Sequence, residues 1–335
     1  MAEDDGLSEG QDRSAGVHHR HRFADHQLLA DALVHSSHHR ARQNGTAFQK
    51  LEFLGDRVLN LAVASETIET SPWLSSVKFE KQYKHCISNY RLKCIALDLE
   101  LDSLMSVGNH IHPSQYAPDT DVGSYHVFAD AAEALIGALY RDGGMGAAKV
   151  FLRMHWQEFK NQDSPLPRLP DHEELMAAWA ESQGITRERW AALQYMKSEF
   201  LGERIIAFAL TDKLIDLFPA ASTPELHEKI KRLTSPGAMS QIGLRVKRIG
   251  SGTYDPDDPL MEKIDAIADD PSNTQKFLAM MAAQLYRSDP EKAYACVRRM
   301  WQPILNSIAP AAPEITRPAA DASASAATAL KHQPT

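Results

Sequence analysis

Along FQKLEFLGDRVLNLAV, residues 48–63, Leu51, Leu54, Val58 and Leu61 fall at spacings of three, four and three, the stripe of an amphipathic helix. Ala134, Leu135, Ala138 and Leu139 repeat that pattern in a later segment. No convincing period-two alternation flanked by turn dipeptides occurs, so the spacing predicts an all-α fold. Gly55 interrupts the first helix at a cost of roughly 1 kcal/mol relative to Ala, which implies close packing of another helix or backbone against it.

The pattern occurs twice. FQKLEFLGDRVLNLAV aligns without gaps to YMKSEFLGERIIAFAL, residues 195–210, an offset of 147 that keeps EFLG. The register extends upstream, pairing LLADAL from Leu28 with LMAAWA from Leu175, and downstream, pairing Ser88 with Ser235 and Ile95 with Ile242. Near the end of each copy, ALIGALYRDGG around Tyr140 pairs with MMAAQLYRSDP around Tyr286 at an offset of 146. A repeat this long describes a domain. The expected division is a disordered N-terminus over 1–22, a first domain over 23–160, a Pro-rich linker over 161–174, a second domain over 175–305, and a disordered tail over 306–335 that lacks bulk for a core.

Composition narrows the setting. Apolar residues make up 43% and charged residues 24%, ordinary for a soluble globular chain, and no apolar run approaches a membrane span. The acidic start MAEDDGLSEGQD resembles neither a secretory signal nor a transit peptide. Cys86, Cys94 and Cys296 have no metal-binding or disulfide spacing and read as reduced thiols, so a cytoplasmic location is expected. The net charge is −8, and each half carries three more acidic than basic residues, so neither is a basic arm for phosphate binding.

Two acidic pairs carry the candidate chemistry. Glu52 and Asp56 are one helical turn apart on one face, where like charges repel. Asp130 and Glu133 sit three apart beside the second stripe. Four carboxylates on two facing helices would form an oxygen-rich site suited to Mg²⁺, with Mn²⁺ as a substitute. Such an ion can activate water and stabilise charge on a leaving phosphate oxygen. The bland reading is a solvated face on which Lys50 or Arg57 neutralises Glu52 and Asp56.

LEFLGDRVL, residues 51–59, resembles the signature nonapeptide of the ribonuclease III family, and ADAAEALIGALYRDGG, 129–144, resembles its second acidic motif. LVHSS at 33–37 and ISNYRLKCIALDLELDSLMSVG at 87–108 extend the resemblance over residues 24–160. It departs at Arg57, where a small residue is common, at Val34, which replaces Thr, and at Phe48 to Lys50. The resemblance implies that Glu52, Asp56, Asp130 and Glu133 are catalytic and hold Mg²⁺ for hydrolysis of double-stranded or structured RNA to 5′-phosphate and 3′-hydroxyl ends. It also implies pairing of two such domains, here two tandem ribonuclease III-like helical domains forming an intramolecular pseudo-dimer; a homodimer through the first copies is the alternative.

In the second copy Glu52 and Asp56 map to Glu199 and Glu203, but Asp130 and Glu133 map to Lys276 and Ala279, so one working centre per chain is expected. Lys78, Lys81, Lys84, His85, Arg91 and Lys93, with Lys229, Lys231, Arg232, Arg245, Lys247 and Arg248, are candidate RNA contacts or solvated faces. The double-stranded-RNA-binding domain usual in the family is replaced by the second copy, so weak, salt-sensitive binding or a partner protein supplying RNA affinity is expected. His18, His19, His21, His35, His38 and His39 could ligate a transition metal, though their spacing fits no finger pattern. Two other readings compete: a non-catalytic RNA-binding or ribosome-associated scaffold, and a structural partner of a separate ribonuclease III chain.

Overall fold

The computed structural model describes residues 21–38, 47–108, 125–156, 184, 186–251 and 259–309. Among these, regular structure is helical: α1 His26–Ala32, α2 Ala47–Thr70, α3 Ser76–Cys86, α4 Asn89–Asp98, α5 Leu101–Leu104, α6 Tyr125–His155, α7 Arg187–Leu217, α8 Thr223–Leu233, α9 Pro236–Ser251, α10 Pro259–Ala268, α11 Pro271–Ser288 and α12 Pro290–Ile308. An isolated bridge joins Val34 to Ser106. The all-α expectation holds.

The helix centred on the first stripe is α2, which is buried on several sides because it packs against α6 and also against α7. Leu54, Val58, Leu59 and Leu61 are nearly inaccessible, as are Ala132, Leu135, Ala138 and Leu139 on α6. Burial of an aliphatic side chain contributes about 2 kcal/mol, so this crossing is a main source of cohesion.

Similar local features occur in both halves of the chain, two of them 147 residues apart and the tryptophans 145 apart. Ser75 caps α3, and Ser222, 147 residues on, closes a capping box on α8 with Glu225. Ser88 Oγ accepts from the Arg91 amide at 3.3 Å, and Ser235 Oγ accepts from the Ala238 amide at 3.2 Å. The buried Trp156 indole donates to the Cys86 carbonyl at 2.9 Å; Trp301 donates to the Leu233 carbonyl at 2.8 Å. Non-helical backbone at Gly144 (φ 69°) breaks α6, and Asp289 with Pro290 divides α11 from α12 at the corresponding place.

Contacts between α2 and α7 are reciprocal. Lys197 Nζ donates to the Pro72 carbonyl at 2.5 Å, and Lys50, its counterpart, donates to the carbonyl of Pro219, the counterpart of Pro72. Phe200 meets the edges or faces of Phe79 and Tyr83 on α3 at 5.1 and 4.8 Å, while Phe53 faces His227 on α8 at 6.4 Å. The two lysine contacts exchange under the 147-residue offset, whereas the ring contacts do not, since the twin of His227 is Glu80. A directional element is added where Arg141 reaches Asp212 at 3.5 Å and Asp216 at 3.0 Å, because Ser65 and Glu69 stand at the twin positions of those aspartates.

Two expected boundaries shift. Asp142 anchors the chain start, accepting from the amides of Ala24 and Asp25 and contacting His21 at 2.8 Å, so residues 21 and 22 belong to the fold. Helix α12 runs through Ile308, with Leu305 buried, so residues 306–308 continue the helix. The linker 161–174, residues 1–20 and 310–335, and the LMAAWA segment lie outside the described residues.

Candidate metal centre

Gly55 and Gly137 set the geometry. A Cβ at Gly55 would fall 1.8 Å from the Glu133 carbonyl oxygen, and one at Gly137 would fall 2.1 Å from that of Leu51. Backbones therefore touch where α2 crosses α6, as the helix-interior glycine implied. This approach brings Glu52 from one helix and Asp130 and Glu133 from the other together, with one carboxylate oxygen of each within 4.8 Å of the others. Among the described residues this is the one group of three or more metal-ligating side chains so gathered.

Crowded carboxylates in a half-buried cleft repel and lose hydration. Burial first, then the charges of Asp56, Asp130 and Glu52, push Glu133 up to about 9. Burial, Asp130 and Asp56 push Glu52 up to about 7. The oxygen-only donor set and this repulsion, which Arg57 offsets only in part, fit a hard divalent cation.

Asp56 stands beside the trio. Its carboxylate contacts Arg57 at 3.2 Å and accepts from Asn60 Nδ2 at 2.7 Å, while burial raises its pKa against both. His35 is a neighbour that the acidic pattern did not single out. The Val34–Ser106 bridge holds its backbone, Ser37 Oγ contacts Nδ1 at 2.8 Å, and Nε2 lies 3.9 Å from Asp130. Its place in LVHSS and in the N-terminal histidine cluster signalled it, but neither pointed to Asp130.

The corresponding place in the second copy differs. A Cβ at Gly202 would fall 1.8 Å from the Ala279 carbonyl oxygen, so Ala279 occupies the position of Glu133 against its own crossing helix. Glu203 pairs with Arg204 at 3.2 Å, Glu199 is half-buried, and Lys276 is exposed.

Several basic candidates are already committed. Lys93 is buried at 2% exposure, so it cannot contact a duplex on the surface. Lys84 pairs with Glu80, Lys231 with Glu228 and Lys247 with Asp265, while Arg245 donates to the Met300 carbonyl. Lys78, Lys81, Arg232 and Arg248 lie exposed. Among the described histidines, His21 is on Asp142 and His35 beside Asp130, twelve residues or about 18 Å apart along α6, while the His38 amide donates to the His35 carbonyl at 2.9 Å. His18, His19 and His39 lie outside the described residues.

Fold and site together define a helical protein with a carboxylate centre suited to a divalent cation. Residues 25–157 match the Ribonuclease-III-like family. Ribonuclease 3 of Mesorhizobium japonicum is 34% identical over 160 residues, 48% of this chain and 69% of that protein. Ribonuclease 3 of Brucella canis is 33% identical over 174 residues, 52% of this chain and 67% of that protein. The nuclease domain of ribonuclease III from Campylobacter jejuni aligns with a TM-score of 0.38 and 24% identity, over 44% of this chain and 97% of that one. The chain belongs to the ribonuclease III family of endoribonucleases. No helix of the described residues is long and apolar enough to cross a membrane.

Proposed function

We propose that the chain is a Mg²⁺-dependent endoribonuclease acting on double-stranded or structured RNA, with one working centre built on Glu52, Asp56, Asp130 and Glu133. The observation that carries this reading is the convergence of Glu52, Asp130 and Glu133 at the touching backbones of α2 and α6. A divalent ion held by these carboxylates would supply a nucleophilic water and stabilise charge on the leaving 3′ oxygen, which would give 5′-phosphate and 3′-hydroxyl ends. The residues do the holding: Glu133 and Glu52 give up their protons to become ligands, and Asp56 closes the set from the next turn of α2. His35 Nε2 lies 3.9 Å from Asp130 at the edge of the site.

The second copy serves as the internal partner. Reciprocal contacts of Lys50 with Pro219 and Lys197 with Pro72 support an intramolecular pseudo-dimer, and Lys276 and Ala279 in place of two ligands support a single centre. A cytoplasmic location suits its three free thiols.

Duplex RNA labelled on either strand tests this, with light scattering on the same sample. A monomeric chain should nick one strand per binding event in Mg²⁺ and neither in EDTA. Equal cutting of both strands by a monomer defeats the single centre, and an uncut duplex defeats the nuclease reading.

A further inference from the structure

A run of hydrogen bonds leads from the second copy into the first copy's carboxylates. Arg204 Nε on α7 donates to Tyr83 Oη on α3 at 3.3 Å, and Tyr83 Oη meets Asn60 Oδ1. Asn60 Nδ2 donates to the Asp56 carboxylate at 2.7 Å and to the Asp56 carbonyl at 2.6 Å. Resting on the nuclease reading, we propose that Arg204 is a positioning residue for the centre, acting through Tyr83 and Asn60 to fix Asp56, so that the degenerate copy completes the working one.

The polarity of the run follows from chemistry alone. A backbone carbonyl only accepts, so the Asn60 amide must turn its nitrogen to Asp56 and its oxygen to Tyr83. That oxygen only accepts, so the phenol must donate to it. The Tyr83 oxygen is then left to accept from Arg204, which only donates. Every proton points toward Asp56, with a guanidinium at the far end. Tyr83 is buried, with its ring edge-on to Phe200, and the Arg204 guanidinium lies over Phe200 and Tyr83 at 3.2 and 5.2 Å. Ring contacts of this kind hold the donor in place independently of the carboxylate.

The twin side of the interface supplies the contrast. Arg57, the counterpart of Arg204, likewise lies over its phenylalanine, Phe53, at 5.7 Å and pairs with the preceding acid at 3.2 Å. Ile230 and Ala207 stand where the relay would need Tyr83 and Asn60. Arg57 Nε is accordingly buried with no hydrogen-bond partner. The run thus exists only toward the copy that has four carboxylates, and the other copy lacks both relay and second acidic pair. A metal ligand held by partners that are themselves held is pre-organised, and loss of such an outer partner typically weakens metal binding by about 10- to 100-fold.

The test is Mn²⁺ binding by calorimetry to the full chain without RNA, beside thermal melting. Tyr83→Phe keeps the ring and deletes the hydroxyl; it should raise the Mn²⁺ Kd by about tenfold with little change in melting temperature. Arg204→Met should weaken binding in the same direction, Arg204→Lys should recover part of the loss, and Tyr83→Phe with Arg204→Met should be no worse than Tyr83→Phe alone. Unchanged Mn²⁺ affinity in Tyr83→Phe, or multiplying losses in the double variant, overturns the relay while Glu133→Gln still abolishes binding. A wild-type chain that binds no Mn²⁺, or a Glu133→Gln chain that binds it normally, instead overturns the metal site and the relay with it.

Discussion

Replacing Gly55 by Ala sets two known effects against each other. Ala is the better helix former by about 1 kcal/mol, so an isolated α2 would gain. In the folded chain the new methyl would lie 1.8 Å from the Glu133 carbonyl oxygen and 2.9 Å from the Gly137 nitrogen, where ordinary contact begins at 3.4 Å. Both neighbours are backbone, so no side chain can swing away and α6 must retreat by about 1.6 Å. A gap of that size forfeits a large share of the dispersion contacts along the crossing, and overpacking typically costs 1–3 kcal/mol. With the upper end of that range applying to backbone overlap, Gly55→Ala should lose about 2 kcal/mol net. That corresponds to a fall of roughly 4–8 °C in melting temperature. Because the retreat carries Glu133 away from Glu52, Mg²⁺-dependent cleavage should also fail in molecules that remain folded. Gly202→Ala makes the equivalent 1.8 Å overlap with Ala279, so it should destabilise similarly, by urea denaturation followed at 222 nm, yet keep most of its cleavage rate per folded molecule. Stability of Gly55→Ala equal to wild type would refute the argument from backbone contact.

Two further predictions concern the charge at the centre. Glu133 at about 9 and Glu52 at about 7 are both raised above the ordinary 4.5, so the folded chain keeps protons that the unfolded chain releases. Their contribution is fully present below pH 4.5 and is lost as pH rises through about 7 and then about 9, so the melting temperature in EDTA should fall across that window and Mg²⁺ should restore it; a flat or rising profile in EDTA contradicts this. Glu133→Gln should cut cleavage by more than about a hundredfold. The same variant should match wild-type melting near pH 4 in EDTA and exceed it by a growing margin as pH rises toward 9, and a variant less stable than wild type at the higher pH would show that the carboxylate is not under strain.

The sequence by itself determined the helical character and the family, and from it came the reading of a doubled pattern with two acidic residues missing from the second half. These are properties of spacing along the chain: 3.6 residues per turn places Glu52 beside Asp56, and the offset of 146 near the end of each copy places Lys276 against Asp130. It also placed a backbone contact at Gly55, because a helix interior tolerates Gly at a cost that close packing explains. Tertiary structure alone decided which carboxylates converge and which stands aside, since Asp56 answers to Arg57 and Asn60 as well as to the other acids. Packing likewise buried Lys93 among the candidate RNA contacts and brought His35 to Asp130. It alone joined Arg204 to Tyr83 across 121 residues. Periodicity reports which face of a helix is covered; the partner that covers it depends on the three-dimensional path of the whole chain.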